Sequence, residues 1–203
     1  MEGRSGNVKK IVIATKNQGK IREMIHAFAA LDVELVSLAS FGELPDAVED
    51  GHTFADNARS KAEFYQRQTG CACLADDSGL CVDVLQGAPG VYSARFAGHH
   101  AADAENNAKL VAELAKHGAV DSPAAYHCVL VFADTDGALL TAEGICAGTI
   151  RGEAHGTGGF GYDPYFYIGD QSMAELTLAE KDKISHRGAA LRSMAQKLEE
   201  YLR

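Results

Sequence analysis

The sequence predicts an α/β fold, on three observations. A β-rich run near the start passes through a short loop into an amphipathic helix and then a second strand; further amphipathic stretches end at glycines; and two later β-rich runs flank an Asp-Gly turn. The first two features set helices against a sheet, and the third adds an antiparallel pair to it.

Residues 11–14 (IVIA) read as the first strand, and residues 21–31 as a helix with Ile21, Met24, Ile25, Phe28 and Leu31 at helical spacing. Residues 33–38 form a second strand. An acidic loop with Pro45 and the pair Glu49-Asp50 leads into a helix over residues 53–69 that Gly70 closes, so Glu49 lies just before a helix start. Cys73, Leu74 and Ala75 read as the end of a buried strand. Asp76 and Asp77 then emerge at a strand's carboxyl edge, where open α/β sheets bind ligands, and a glycine-punctuated loop runs on to Gly98. Residues 102–117 form a third helix ending at Gly118, and residues 126–133 and 138–147 pair as a hairpin about Asp134-Thr135-Asp136-Gly137. Residues 151–167 are rich in glycine, and residues 185–202 form the last helix with Ser185 as its N-cap.

At 203 residues and 46% hydrophobic content the chain can bury one substantial core. Residues 9–203 are expected to form a single domain, with residues 1–8 a flexible extension. A net charge of −9 argues against nucleic acid or anionic membrane as a partner, since either needs a basic face. No apolar run is long enough to span a bilayer and residues 1–8 do not resemble a secretory leader, so a cytoplasmic location is expected. The five cysteines are odd in number, lie mostly in apolar stretches and lack zinc-ligand spacing; they read as reduced core residues.

Several segments carry chemistry. The run from Ala14 to Ile21 has the spacing of a phosphate-binding P-loop but lacks its first glycine and its terminal hydroxyl. Its physics survives: a glycine-containing loop at a helix N-terminus presents N–H groups to an anion, and Lys20 adds a cation. With no hydroxyl at Ile21, magnesium must find oxygens elsewhere, and Asp76, Asp77 and Glu49 are the candidates. Residues 156–161 match G-x-G-x-x-G, but Tyr162-Asp163-Pro164 follows in place of a helix and excludes a dinucleotide fold. Such a run suits close approach to a flat ligand, with Phe160 and Tyr162 as aromatic faces and Asp163 reading its edge. Lys181, Ser185, His186 and Arg187 cluster at the start of the last helix, where Arg can meet a carbonyl or phosphate. Taken singly, each segment also reads as an ordinary turn, a strand–helix connection, a surface loop or a solvated face.

Taken in order, ATKNQGK, EDGHTFADNARSKA, ADDSGL, GAPGVYSARFAG, GTGGFGYDP and EKDKISHRGAAL resemble the inosine/xanthosine triphosphate pyrophosphatase family over nearly the whole chain. The resemblance implies an elongated mixed sheet, flanked by helices in two lobes with the active-site cleft between them, and a homodimer. It implies Mg2+-dependent cleavage of ITP, dITP and XTP to the monophosphate and pyrophosphate. By the same resemblance Thr15, Lys16, Asn17, Gln18, Gly19 and Lys20 cradle the phosphates with Lys61, and Glu49 and Asp77 hold magnesium. Asp77 also takes the proton of the attacking water, with Asp76 in support, and Ser78 touches substrate. Phe160, Gly161, Tyr162 and Asp163 with Lys181, Ser185, His186 and Arg187 form the base pocket. Asp56 stands where the family commonly has Glu. The alternatives are a pyrophosphatase for other modified or pyrimidine nucleotides, and a nucleotide-binding regulator that does not hydrolyse; clustered carboxylates speak against the regulator.

Overall fold

The computed structural model describes residues 8–203. The expected flexible extension lies, apart from Val8, outside the described residues. The chain runs β1 (Lys9–Ile13), α1 (Gln18–Ala27), β2 (Val33–Ser37), α2 (Phe54–Thr69), β3 (Ala72–Val82), α3 (Asp103–Lys116), β4 (Asp121–Ala133), β5 (Leu139–Arg151), β6 (Phe166–Ile168), β7 (Gln171–Ser172), α4 (Leu178–Ile184) and α5 (His186–Tyr201).

All seven strands form one sheet in the order β2-β1-β3-β4-β5-β6-β7. β1 is parallel to both neighbours and every later pairing is antiparallel, which makes the sheet mixed. The strand alternation sorts two cores. Ile11, Ile13, Leu74, Leu130 and Phe132 pack under Met24 and Phe28 near α1 and under Leu191, Met194 and Leu198 of α5. Val12, Ala14, Cys73, Ala75, Val129 and Val131 face Ala58, Ala62 and Tyr65 of α2. A third core gathers Leu80, Val82, Tyr126, Cys146, Ile150 and Phe166 beneath Leu110 and Leu114 of α3, and forms the second lobe.

Helix α2 begins and ends where its sequence signals put it: Thr53 caps the N-terminus, and Gly70 closes the helix in the left-handed region at φ 66°. The Asp134-to-Gly137 hairpin also forms, with Ala133 opposite Leu139. Other expectations need correction. α1 ends at Ala27, and Ile25, read as part of its apolar face, is 49% exposed. The chain before the last helix folds as a separate short helix, α4, whose capping box of Thr177 and Glu180 is visible as T-x-x-E in the sequence.

The largest correction concerns β3, which does not end at Ala75. β1 covers it only from Ala72 to Leu74, whereas β4 pairs with it from Cys73 through Val82. Asp76 and Asp77 therefore sit inside a strand, just past the carboxyl end of β1, where β3 runs on with one neighbour and the N-terminus of α1 stands beside it. α5 lies so close on β5 that a side chain at Gly144 would strike the His186 carbonyl and the Ala190 N–H; only glycine lets this helix bring His186 and Arg187 to the sheet. Among the described residues no helix is long and apolar enough to cross a membrane.

Candidate active site

Successive side chains on a strand point to opposite faces, so the two adjacent carboxylates never meet side by side. Asp76 shares the face of Leu74 and turns toward α1 and α5. There its carboxylate meets the Lys20 ammonium at 2.9 Å and the Arg187 Nε at 3.5 Å, and the Ser78 hydroxyl donates to it at 3.3 Å. It has no exposed surface. Burial opposes its charge, yet Lys20, Arg187 and Lys61 together hold its carboxyl well below the usual carboxylate range.

Asp77 turns the other way, toward α2. The Asn57 amide donates to its Oδ2 at 3.0 Å and the Ser78 backbone N–H donates to its Oδ1 at 3.0 Å. Burial pushes this carboxyl up, Lys61 and Asn57 counter it in part, and nearby Glu49 raises it further. Lys61 joins the two sides. Its ammonium donates to the Asp76 backbone carbonyl at 3.0 Å and pairs with Glu49 at 2.9 Å; burial works against its charge, but Glu49 and Asp76 raise it above the ordinary lysine value.

Glu49 and Asp77 are the hard oxygens that could hold a metal. Two like charges within mutual influence, one of them mostly buried, would each gain from a divalent cation. The donor set fits magnesium, which takes one or two protein carboxylates and fills its shell with water and substrate phosphate. No group of three or more His, Cys, Asp or Glu able to hold a metal occurs among the described residues. Asp56 stands apart: it is exposed, and its carboxylate accepts from the Thr53 hydroxyl at 2.7 Å as part of the α2 cap.

On the Asp76 face a cleft opens between the lobes, bordered by Lys20, Ser78, Phe160, Asp163, Lys181 and Arg187. Lys181 pairs with Asp163 at 2.5 Å, and the Asp163 carboxylate also accepts from the Phe160 N–H at 2.9 Å. Gly159 is obligatory here: its φ is +75°, and any Cβ would run into the Asp163 carboxylate and the Lys181 ammonium. The half-buried Phe160 ring lies 5.7 Å from the Lys181 ammonium and 5.5 Å from the Arg187 guanidinium. Helix α3 braces this loop: Asp103 accepts from the Gly161 N–H at 2.6 Å and Asn107 donates to the Gly161 carbonyl at 3.0 Å.

A model of the Ham1 family matches residues 11–197. The chain belongs to the Ham1 family. It is 48% identical to a protein of Desulforamulus reducens named dITP/XTP pyrophosphatase, over 90% of this chain and 92% of that one. Its fold matches a HAM1 protein from Coxiella burnetii, with a TM-score of 0.87, 40% identity, and coverage of 95% of this chain and all of that one. The Ham1 protein of Staphylococcus aureus matches with a TM-score of 0.84 and 36% identity over 95% of this chain.

Measured against the sequence expectations, this Ham1 chain gathers Asn17, Lys20, Ser78, Phe160, Gly161, Tyr162, Asp163, Lys181, Ser185, His186 and Arg187 around the cleft. Glu49, Lys61 and Asp77 form a second group on the opposite face of β3. The N-terminal loop sends Asn17 and Lys20 to the cleft and spends part of its polar surface on itself. The Asn17 side chain caps α1 and takes the Gly19 and Lys20 N–H groups at 2.9 and 3.1 Å. Thr15 accepts from the Asn17 N–H at 3.2 Å, Gln18 is exposed, and exposed Lys16 pairs with Asp46 at 2.5 Å and does not border the cleft. Tyr162 is buried in the third core, with its hydroxyl donating to the Ser93 carbonyl at 2.7 Å. Burial and the charges of Arg187 and Lys20 drive His186 well below its usual value, and its ring stacks 4.6 Å from the Tyr126 ring. Sequence reasoning missed Glu23, which is buried and pairs with Arg187 at 2.7 Å, and Asn57.

Proposed function

We propose that this protein hydrolyses non-standard purine nucleoside triphosphates (ITP, dITP and XTP) to the monophosphate and pyrophosphate. The observation that carries this reading is an aromatic- and cation-lined cleft on one face of β3 with a carboxylate group on the other, and Lys20 between them. Lys20 lines the cleft and its charge is also felt at Asp77. The name dITP/XTP pyrophosphatase borne by the Desulforamulus relative supports the same substrate class.

In this reading a purine lies against Phe160, and its 6-oxo group faces the cationic side of the cleft formed by Lys181 and Arg187. Adenine presents an amino group at that edge, and a donor facing donors leaves both unpaired. Arg187 already donates to Glu23 at 2.7 Å and to the Ser78 hydroxyl at 2.8 Å, which fixes its remaining N–H groups before substrate arrives. Lys20 and Lys61 draw the phosphates toward Asp77 and stabilise charge on the departing pyrophosphate. Asp77, held in orientation by Asn57 and the Ser78 N–H, takes the proton from the attacking water. Magnesium bound at Glu49 and Asp77 would supply charge neutralisation at the phosphate oxygens. The same reading makes the enzyme a cytoplasmic homodimer of single-domain subunits.

Steady-state kcat/KM across ITP, XTP, dITP, dUTP, GTP and ATP tests the substrate class. The inosine and xanthosine nucleotides should lead by at least tenfold; a pyrimidine turned over as well as ITP would replace this reading with the broader nucleotide pyrophosphatase.

A further inference from the structure

Resting on the hydrolase reading above, we propose that Asn57 is a positioning residue that locks the carboxylate of Asp77 and the loop carrying Glu49 into one frame.

Asn57 is 1% exposed and projects from α2 toward β3. The helix beneath it is seated on the sheet by the fully buried Ala58 and Ala62, and the Thr53 cap closes its first turn. A buried primary amide is costly unless both its ends are bonded, and here both are. The Gly51 N–H donates to the Asn57 Oδ1 at 2.8 Å, and the Asn57 Nδ2 donates to the Asp77 Oδ2 at 3.0 Å. Chemistry dictates the amide's orientation: an N–H can be met only by its oxygen, and a carboxylate only by its nitrogen. Gly51 lies two residues beyond Glu49, whose own carbonyl accepts from Arg95 Nη2 at 2.8 Å.

One side chain therefore spans the two carboxylate-bearing segments. Among the described residues Asp77 receives a single donor on each oxygen, from Asn57 on one and from the Ser78 N–H on the other. These two bonds fix the plane of a carboxylate whose terminal torsion is otherwise soft, and leave each oxygen a lone pair for a water or a phosphate-bound cation. Without the amide donor Asp77 can rotate and the Glu49 loop can drift. Displacements of about an ångström near reacting atoms cost on the order of a hundredfold in rate.

Two variants separate the halves of the bridge. Asn57→Ala removes both bonds, while Asn57→Asp keeps an oxygen for the Gly51 N–H and sets a carboxyl, in place of the amide donor, about 3.0 Å from Asp77. Each is assayed at about pH 8 for kcat and KM on ITP, for thermal unfolding, and for amide hydrogen exchange over residues 49–51. Both variants should lose roughly 10- to 100-fold in kcat with KM changed less than about threefold. Exchange at residues 49–51 should quicken in Asn57→Ala and stay near wild type in Asn57→Asp. A kcat within twofold of wild type in both variants would overturn the proposal, as would unchanged exchange over residues 49–51 in Asn57→Ala. Wild-type protein that releases no pyrophosphate from ITP would instead refute the hydrolase reading, and the exchange comparison would still decide whether Asn57 bridges the loop.

Discussion

Replacing Asp76 with Asn removes the counter-charge that Lys20 at 2.9 Å and Arg187 at 3.5 Å share inside the protein. Breaking a buried ion pair from one side costs about 3–5 kcal/mol, because the orphaned charge stays behind. Arg187 keeps Glu23, and the Lys20 side chain retains 17% of its exposure, so the lower end applies, about 3 kcal/mol. For a domain of this length each kcal/mol moves the melting temperature by roughly 2–4 °C, which gives a drop of about 6–12 °C. Asp77→Asn is the matched control one residue away. Burial already disfavours the Asp77 charge, and the new amide oxygen can still meet the Asn57 donor, while the amide nitrogen leaves the part-buried Ser78 N–H unpaired at a cost of about 1 kcal/mol. That variant should melt within about 1 kcal/mol of wild type, while kcat falls by roughly 10²–10⁴ through loss of the proton acceptor.

The pH dependence follows from the sign of the Asp76 shift. The folded protein holds Asp76 below its unfolded value of about 3.9, so its contribution is complete above that pH and is lost only as pH falls through the lower, folded value. The stability gap between wild type and Asp76→Asn should stay constant from about pH 8 to pH 5 and close only below about pH 4. Calorimetric melts of the three proteins across this range, with kcat measured below all melting temperatures, decide the matter. An Asp76→Asn protein as stable as wild type, or equal destabilisation by both substitutions, would refute the assignment of the carboxylates to opposite faces of the sheet.

Gly159→Ala should raise KM for ITP at least tenfold with kcat little changed, because the added methyl displaces the Asp163–Lys181 pair beside the base and leaves Asp77 alone; an unaltered KM would remove that pair from the binding site. Arg187→Lys keeps the charge that Glu23 and Asp76 require but loses the planar fork. The ITP-to-ATP ratio of kcat/KM should therefore fall roughly ten- to a hundredfold, and equal loss on both nucleotides would assign Arg187 to the phosphates. Excess EDTA should abolish turnover, since Glu49 and Asp77 would then face the triphosphate unneutralised; full activity in EDTA would contradict the metal assignment.

Local signals made much of this legible in the sequence. The α2 boundaries follow from Thr53 and Gly70, the hairpin from Asp136-Gly137, and the α5 start from Ser185, whose hydroxyl accepts from the Gly188 N–H. These are contacts within a few residues, which is what a sequence pattern records. In the sequence β3 reads as ending at Ala75, because an Asp-Asp pair looks like the end of a strand. What keeps it extended is the ladder to β4 and partners far away in the chain, Lys20 and Arg187 on one face and Asn57 on the other. Glu23 fails for the same reason. On α1 it reads as an ordinary solvent-facing acid, and it is buried only because Arg187, 164 residues later, arrives beside it. The loop at Asn17 presents the reverse case: a motif that suggests an anion cradle uses two of its donors for its own helix cap.

The central claim is that the bond broken lies between the α- and β-phosphates. ITP incubated with magnesium and wild-type enzyme, with the first products separated by anion-exchange chromatography and a pyrophosphate-specific assay run alongside, tests this most directly. The account predicts IMP and pyrophosphate in equal amounts from the earliest time point, with no IDP. IDP and orthophosphate as first products would place the attack at the γ-phosphate and contradict it.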